Sequence, residues 1–281
     1  MEIVHTIAEV RQHVAQARQA GKTIGFVPTM GALHVGHGAL VEAASKGSDY
    51  VVVSIFVNPL QFGPSEDLER YPRNLEADAQ FCAERGAHLI FAPSNKEMYP
   101  REMATSVTVD ALTNTLCGVS RPGHFRGVAT VVTKLFNIVQ PDFAYFGQKD
   151  AQQLAVIRRM VADLNIPVQV ESVPTVREAD GLALSSRNAY LSPAERRAAV
   201  VLYQALQAAM ARLAAGERNA DALRDFLREA ISREPLARID YAEVVDAESL
   251  QPVSSVERDV LLAVAVFFGK TRLIDNMLFT M

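Results

Sequence analysis

Two histidines three residues apart, His34 and His37, stand in the stretch Pro28-Thr29-Met30-Gly31-Ala32-Leu33-His34-Val35-Gly36-His37, directly after an apolar run at 23–27. The pattern reads as a strand, a turn built with Pro28 and Gly31, and the start of a helix. Backbone N–H groups at a helix N-terminus favour phosphate, and glycines let an anion approach the main chain closely. At i and i+3 the two imidazoles are expected on one helical face, both directed at that anion. A competing reading is half of a metal site. A closed zinc site needs further His or Cys ligands at suitable spacing, and the others in the chain, His5, His13, His88, His124, Cys82 and Cys117, are scattered. Structural coincidence is the third reading.

Phe146-Gly147-Gln148-Lys149-Asp150 puts a lysine and a carboxylate where a strand meets a helix. Lys149 there can neutralise triphosphate charge that grows during displacement at phosphorus, although alone it reads equally as a solvated surface lysine. Asp150 is placed to cap the helix. Ser185-Ser186-Arg187 offers hydroxyls and a guanidinium in a polar segment that suits a lid over phosphates or an interdomain linker. Asn58 and Gln61 set two amides beside an apolar strand end, and Arg121 and His124 set a cation and an imidazole before a helix. Amides and a cation converging on one cleft suit a small hydroxylated carboxylate. The Gly-Lys-Thr triplets at 21–23 and 269–271 are not P-loops: Gln16 and Val264 stand where the earlier glycine is required.

Such residues need a frame to hold them. The chain has 281 residues and 49% hydrophobic content, enough for one large domain or two modest ones. No apolar stretch approaches the roughly 20 residues of a membrane span, and residues 1–12 lack the charge pattern of a secretory leader. Two cysteines make no disulfide framework, so a cytoplasmic protein is expected. A net charge of −4 argues against a nucleic-acid partner. Helix and strand patterns alternate. Thr6 to Glu9 forms a capping-box pattern opening a helix that stops at Gly21, and a short helix runs toward Lys46 after the histidine turn. Strands are expected at 50–57, 88–92, 143–146 and 168–173, and helices at 75–85, 125–139 and 150–164. This order predicts an α/β fold, a Rossmann-like doubly wound parallel sheet, with ligands beyond the carboxyl ends of its strands. From about residue 175 the character changes. Ser192 and Pro193 open an Ala-rich helix as N-cap and N1. A second helix follows near 221–233, then strands at 238–245, 260–267 and 273–278. The expectation is a smaller C-terminal α+β domain, dividing the chain into 1–175 and 176–281.

Taken together, the motifs at 28–37, 54–62 (SIFVNPLQF), 71–73 (YPR), 121–154, 177–192 (READGLALSSRNAYLS) and 271–276 (TRLIDN) closely resemble the pantoate–β-alanine ligase (pantothenate synthetase) family, within the nucleotidyltransferases marked by His-x-Gly-His. The resemblance implies two half-reactions. Pantoate and ATP give pantoyl adenylate and pyrophosphate, and the amine of β-alanine then displaces AMP to form pantothenate. It implies an ATP site lined by Met30, Gly31, Ala32, Leu33, His34, Val35, Gly36, His37, Gly147, Gln148, Lys149, Asp150, Val176, Leu184, Ser185, Ser186 and Arg187. His34, His37 and Lys149 carry the catalysis in this reading. Gln61 and Gln153 hold pantoate, and Asn58, Arg121 and His124 border the pantoate and β-alanine end. The first domain then binds nucleotide and pantoate, and the C-terminal domain is a lid. Magnesium accompanies ATP, its protein ligands unknown, with Asp78 and Asp150 as candidates. A homodimer is implied. Val35 occupies a variable place in the signature, and Leu184 stands where relatives often carry methionine.

Overall fold

The computed structural model describes residues 1–281 except Ser65 and Asp67. The chain forms two compact units. One comprises Met1–Val109, Arg121–Gln148 and Val156–Pro174, and the other Asp110–Ser120, Lys149–Ala155 and Thr175–Met281. The elements up to residue 173 are β1 (Glu2–Val4), α1 (Ile7–Gln19), β2 (Ile24–Thr29), α2 (Val35–Gly47), β3 (Tyr50–Ile55), α3 (Leu75–Ala83), β4 (Leu89–Phe91), α4 (Asn95–Met98), α5 (Leu116–Ser120), α6 (His124–Val139), β5 (Phe143–Gly147), α7 (Ala151–Asp163) and β6 (Gln169–Val173). Single 3₁₀ turns stand at Pro59–Gln61 and Gln148–Asp150. After these come a 3₁₀ turn at Ser186–Tyr190, α8 (Pro193–Ala198), α9 (Val201–Ala214), α10 (Ala220–Ser232), β7 (Ala237–Asp246), β8 (Val260–Phe268) and β9 (Thr271–Phe279).

In the first unit the strands run parallel in the order β1-β4-β3-β2-β5-β6. From β2 the chain builds outward through β3 and β4 on one side, then returns to lay β5 against the other side of β2. The carboxyl ends of β2 and β5 are thus neighbours at the point where the strand order reverses, where open α/β sheets bind ligands. The histidine motif leaves β2 and the Gly147-Gln148 motif leaves β5. Alternation along the strands sends Val27, Val51, Val53 and Ile90 into a core with Leu40, Val41 and Ala44 of α2 and Ala79 and Cys82 of α3. Phe26, Val52 and Leu89 are also fully buried. Both faces of β3 being covered explains its unbroken apolar run.

In the second unit β7, β8 and β9 form an antiparallel sheet in that order. Leu202, Leu206 and Leu213 of α9 and Leu223, Leu227 and Ile231 of α10 pack on Val244, Val264, Val266 and Phe268. The capping box read at Thr6 is formed, and the Ser192 N-cap proves to belong to a second one. Glu9 N–H donates to Thr6 Oγ1 at 3.2 Å and Thr6 N–H to the Glu9 carboxylate at 2.9 Å. Ser192 and Glu195 repeat the exchange. The Ala-rich helix is interrupted, however: Leu202 N–H reaches back only to Ala199 O, a tighter turn that separates α8 from α9. β1 went unforeseen because three residues have no pattern of their own; pairing with β4 makes it a strand. No helix among the described residues is long and apolar enough to cross a membrane. Both thiols are unbridged and buried, and burial pushes that of Cys82 up to about 12.

His88 extends the β3–β4 pairing with its side chain. Val51 N–H donates to His88 Nδ1 at 3.0 Å, and the ring stacks on Tyr50. Burial, with the charges of Lys22 and the N-terminal amine, holds its pKa below the ordinary 6.5. The folded protein therefore keeps this ring neutral while the unfolded chain takes up a proton. His88 contributes stability above pH 6.5 that is lost as pH falls below it. Urea midpoints measured at about pH 7.5 and about pH 5.5 are expected to fall further for the parent than for His88→Asn, which cannot titrate. An equal fall in both removes the assignment.

Candidate active site

The turn from β2 to α2 passes through two left-handed residues, Gly31 (φ +79°) and Ala32 (φ +51°). A Cβ on Gly31 would lie 2.9 Å from Asp78 Oδ2, so glycine is needed there both for its φ and for space. The N–H groups that this turn exposes are paired one by one. Gly31 N–H donates to Thr29 Oγ1 at 3.2 Å, and that hydroxyl donates to Ser54 O at 2.7 Å. Asp78, buried on α3, accepts from Ala32 N–H at 3.0 Å and from Leu33 N–H at 2.8 Å, one bond to each carboxylate oxygen. Asp78 is thus a brace for the signature loop.

The histidines differ from the expected helical pair. His34 is not on the helix face; it is the extended N-cap of α2, with φ −134° and ψ 175°. Its Nδ1 accepts from Gly36 N–H at 3.1 Å, and His37 Nδ1 accepts from His34 N–H at 3.3 Å. The rings lie 4.2 Å apart, centre to centre. Periodicity could not reveal this, because unpaired N–H groups at a helix start recruit any nearby acceptor. The consequence is chemical. With Nδ1 accepting, each neutral ring carries its proton on Nε2.

A second network holds Gln61, which is buried in the turn after β3. Asn58 Nδ2 donates to Gln61 Oε1 at 3.1 Å and to Gly127 O at 3.2 Å. Asn58 Oδ1 accepts from Tyr99 OH at 2.7 Å and from Leu60 N–H at 3.3 Å. Burial pushes the Tyr99 hydroxyl up to about 12, which keeps it a donor. Asn58 is 1% exposed and both ends of its amide are engaged, so it positions Gln61. Gln61 Nε2 itself donates to the Met30 sulfur at 2.9 Å, a weak acceptor that a ligand oxygen can replace. A Cβ on Gly127 would sit 2.1 Å from Leu60 O, so only glycine lets α6 approach this turn. Arg121 and His124 hold the same turn from the other side. Arg121 makes a two-pronged pair with Glu66 at 2.8 and 2.6 Å, its Nη1 lies 3.0 Å from His124 Nε2, and His124 Nδ1 lies 2.9 Å from Gln61 O. Burial raises the Glu66 pKa, but the hydrogen bond and charge of Arg121, aided by His124, outweigh that and hold the carboxyl below its ordinary value.

Gly147 ends β5 and Gln148 opens the next turn at the edge of the first unit, and the candidates after them belong to the second. Lys149 stands in the turn before α7, its Nζ 3.7 Å from Asp150 Oδ2, and Asn276 Nδ2 donates to Lys149 O at 2.8 Å. Gln152 Nε2 donates to Leu112 O and Thr115 O at 2.8 and 2.9 Å, while its Oε1 accepts from Cys117 N–H at 2.9 Å. Its neighbour Gln153 is half-buried. Leu184 N–H donates to Val176 O at 3.0 Å, which sets those two residues side by side. Ser185 Oγ accepts from Arg187 N–H at 3.2 Å and caps the 3₁₀ turn that carries Ser186 and Arg187. Among the described residues no three His, Cys, Asp or Glu side chains form a metal cluster. Of the two magnesium candidates, Asp78 has both oxygens engaged by the loop, and Asp150 remains half-exposed.

A sequence model of the family described as Pantoate-beta-alanine ligase matches residues 2–278. The chain belongs to this family. It is 57% identical over 277 residues to the pantothenate synthetase of Moorella thermoacetica, covering 99% of this chain and 98% of that one. The solved structure of pantothenate synthetase from Thermus thermophilus superposes with a TM-score of 0.94 at 51% identity, over 99% of each chain. That of pantoate-beta-alanine ligase from Francisella tularensis, complexed with beta-gamma ATP and beta-alanine, gives 0.81 at 34% identity, over 99% of this chain and 97% of that one. Within this ligase fold, the braces are what sequence reasoning missed. Asp78 entered only as a metal candidate, and Glu66, Tyr99, Gln152, Asp275 and Asn276 carried no role. Their partners lie 35 to 127 residues away in the chain, and nothing local marks them.

Asp78→Ala leaves two loop N–H groups without their acceptor and is expected to cost about 1–3 kcal/mol in urea unfolding without added metal, with Asp78→Asn intermediate. Unchanged stability in both variants would return Asp78 to the metal reading.

Proposed function

We propose that this chain joins pantoate to β-alanine with cleavage of ATP to AMP and pyrophosphate, through pantoyl adenylate. One observation supports the assignment of roles: in a chain of this ligase family, Nδ1 of each signature imidazole accepts a main-chain N–H at the start of α2, which puts the proton of the neutral ring on Nε2. A pantoate carboxylate oxygen attacks the α-phosphorus, and the bond from that phosphorus to the pyrophosphate oxygen breaks. His34 and His37 donate to the phosphate oxygens, where charge grows, and Lys149, Ser185, Ser186 and Arg187 add to that stabilisation. Met30, Gly31, Ala32, Leu33, Val35, Gly36, Gly147, Gln148, Asp150, Val176 and Leu184 line the nucleotide. Gln61 and Gln153 hold pantoate's hydroxyls and carboxylate. Asn58, Arg121 and His124 serve that end by fixing the Gln61 turn. The β-alanine nitrogen then attacks the acyl carbon, the bond to the AMP oxygen breaks, and the amine proton is lost to solvent. No enzyme nucleophile is needed. The protein positions substrates, neutralises charge and keeps water from the mixed anhydride.

Magnesium, carried in with ATP, would supply further charge neutralisation. The donor set would suit an ion that arrives with the nucleotide, since magnesium keeps waters and phosphate oxygens and needs only one or two carboxylates; of the two candidates, Asp150 is the one that the signature loop does not engage. The second unit acts as the lid through Ser185–Arg187, and the enzyme works as a cytoplasmic homodimer, as its family resemblance implies.

Pyrophosphate and AMP release from ATP with magnesium test the scheme directly. Pantoate alone is expected to release pyrophosphate, and AMP with pantothenate only after β-alanine is added. No pyrophosphate under any combination would overturn the reading. His37→Ala is expected to lower kcat by about 10²–10³, and to cost about 0.5–2 kcal/mol of stability through the lost cap on His34 N–H. Arg187→Ala is expected to increase loss of adenylate to hydrolysis, seen as AMP formed without β-alanine; unchanged leakage removes the lid role.

A further inference from the structure

The strand β9 carries a polar pair that packing alone does not call for. Asp275 is 2% exposed and falls in the same inward row as the buried Leu273, where an apolar side chain is the ordinary choice. Both Asp275 oxygens accept from the Arg177 guanidinium, at 2.6 and 2.9 Å, and Arg177 Nη1 also donates to Gly181 O at 3.1 Å. Gly181 is held in turn against Tyr203: its φ is +95°, and a Cβ there would lie 1.9 Å from the ring. The base of the segment that leads to Ser185 and Arg187 is therefore pinned to β9 at Asp275. The next residue pins a different segment, because Asn276 Nδ2 donates to Lys149 O at 2.8 Å. Asp275 Oδ1 also accepts from Asn276 N–H at 2.8 Å. Two consecutive residues of one strand thus hold chain segments that lie 98 and 127 residues away.

We infer that Asp275 and Asn276 are positioning residues for ATP, fixing Lys149 and the Ser185–Arg187 turn to a single strand so that both meet one triphosphate. The inference rests on the assignment of those two segments to ATP. A buried ion pair adds little to stability beyond what an apolar pair of similar volume gives, whereas it fixes direction and register. A carboxamide donor directed at the carbonyl of Lys149 sets where that lysine's main chain stands. The two contacts share one rigid backbone, so a shift in either displaces one phosphate-binding group relative to the other.

Asn276→Asp keeps the shape of the side chain but presents oxygen to Lys149 O where a donor is needed; Asn276→Ser shortens it. With the complete chain and all three substrates, the KM for ATP is expected to rise about tenfold in both variants, with KM for pantoate and for β-alanine within about twofold and the melting temperature retained. A folded variant with an unchanged ATP KM, or with all three KM values raised alike, overturns the inference. Failure of both variants to fold assigns Asn276 to stability and overturns it as well. The parent protein assayed alongside separates the two levels. If it makes no pantothenate the proposed function fails; if it does and the variants match it, only the positioning role fails.

Discussion

Where β2 gives way to α2, the chain turns through two left-handed residues and leaves successive N–H groups that neither sheet nor helix can pair. Their satisfaction governs the chemistry of the signature. Thr29, Asp78, His34 and His37 each take part, so one loop conformation is specified by four side chains from three elements. The imidazoles are held by the nitrogen that caps, which fixes the tautomer of each neutral ring. Structural demand at the helix start is met by one nitrogen of each ring.

The Gln61 turn follows the same logic with different means. Its amide is oriented by Asn58, whose own amide is oriented by Tyr99 and by a carbonyl of α6 brought close through Gly127. Arg121 would be an unscreened cation in a partly buried place without Glu66, and the pair instead anchors the turn through His124. In the second unit β9 does comparable work for Lys149 and for the segment ending at Arg187. Residues nominated for ligands are thus accompanied by partners that limit each to one orientation, which is what a site that must hold reacting groups in register requires.

Much of the fold was legible because its determinants are local. The capping box at Thr6 involves residues three apart, Ser192 and Pro193 mark a helix start side by side, and buried parallel strands such as β3 announce themselves as β-branched runs. Local signals failed where pairing created the element, as in β1, or where a single tightened turn broke an Ala-rich helix at Ala199. The histidines were found by spacing and misplaced by it. An i, i+3 pair implies a shared helical face, but the residue before a helix is extended, and its ring turns back to the first free N–H groups.

The sequence by itself determined the order of elements, the parallel sheet, the residue types that can handle phosphate and a hydroxylated acid, and the family they resemble. Those follow from periodicity, capping chemistry and motif spacing, all short-range properties of a chain. Only the tertiary structure decided which candidates are presented and which serve as supports: Asp78 as loop brace, Asn58 as the holder of Gln61, and Asp275 and Asn276 as anchors of distant segments. A side chain's role depends on which of its atoms are already engaged, and for Asp78, Asp275 and Asn276 the engaged segments lie 45 to 127 residues away.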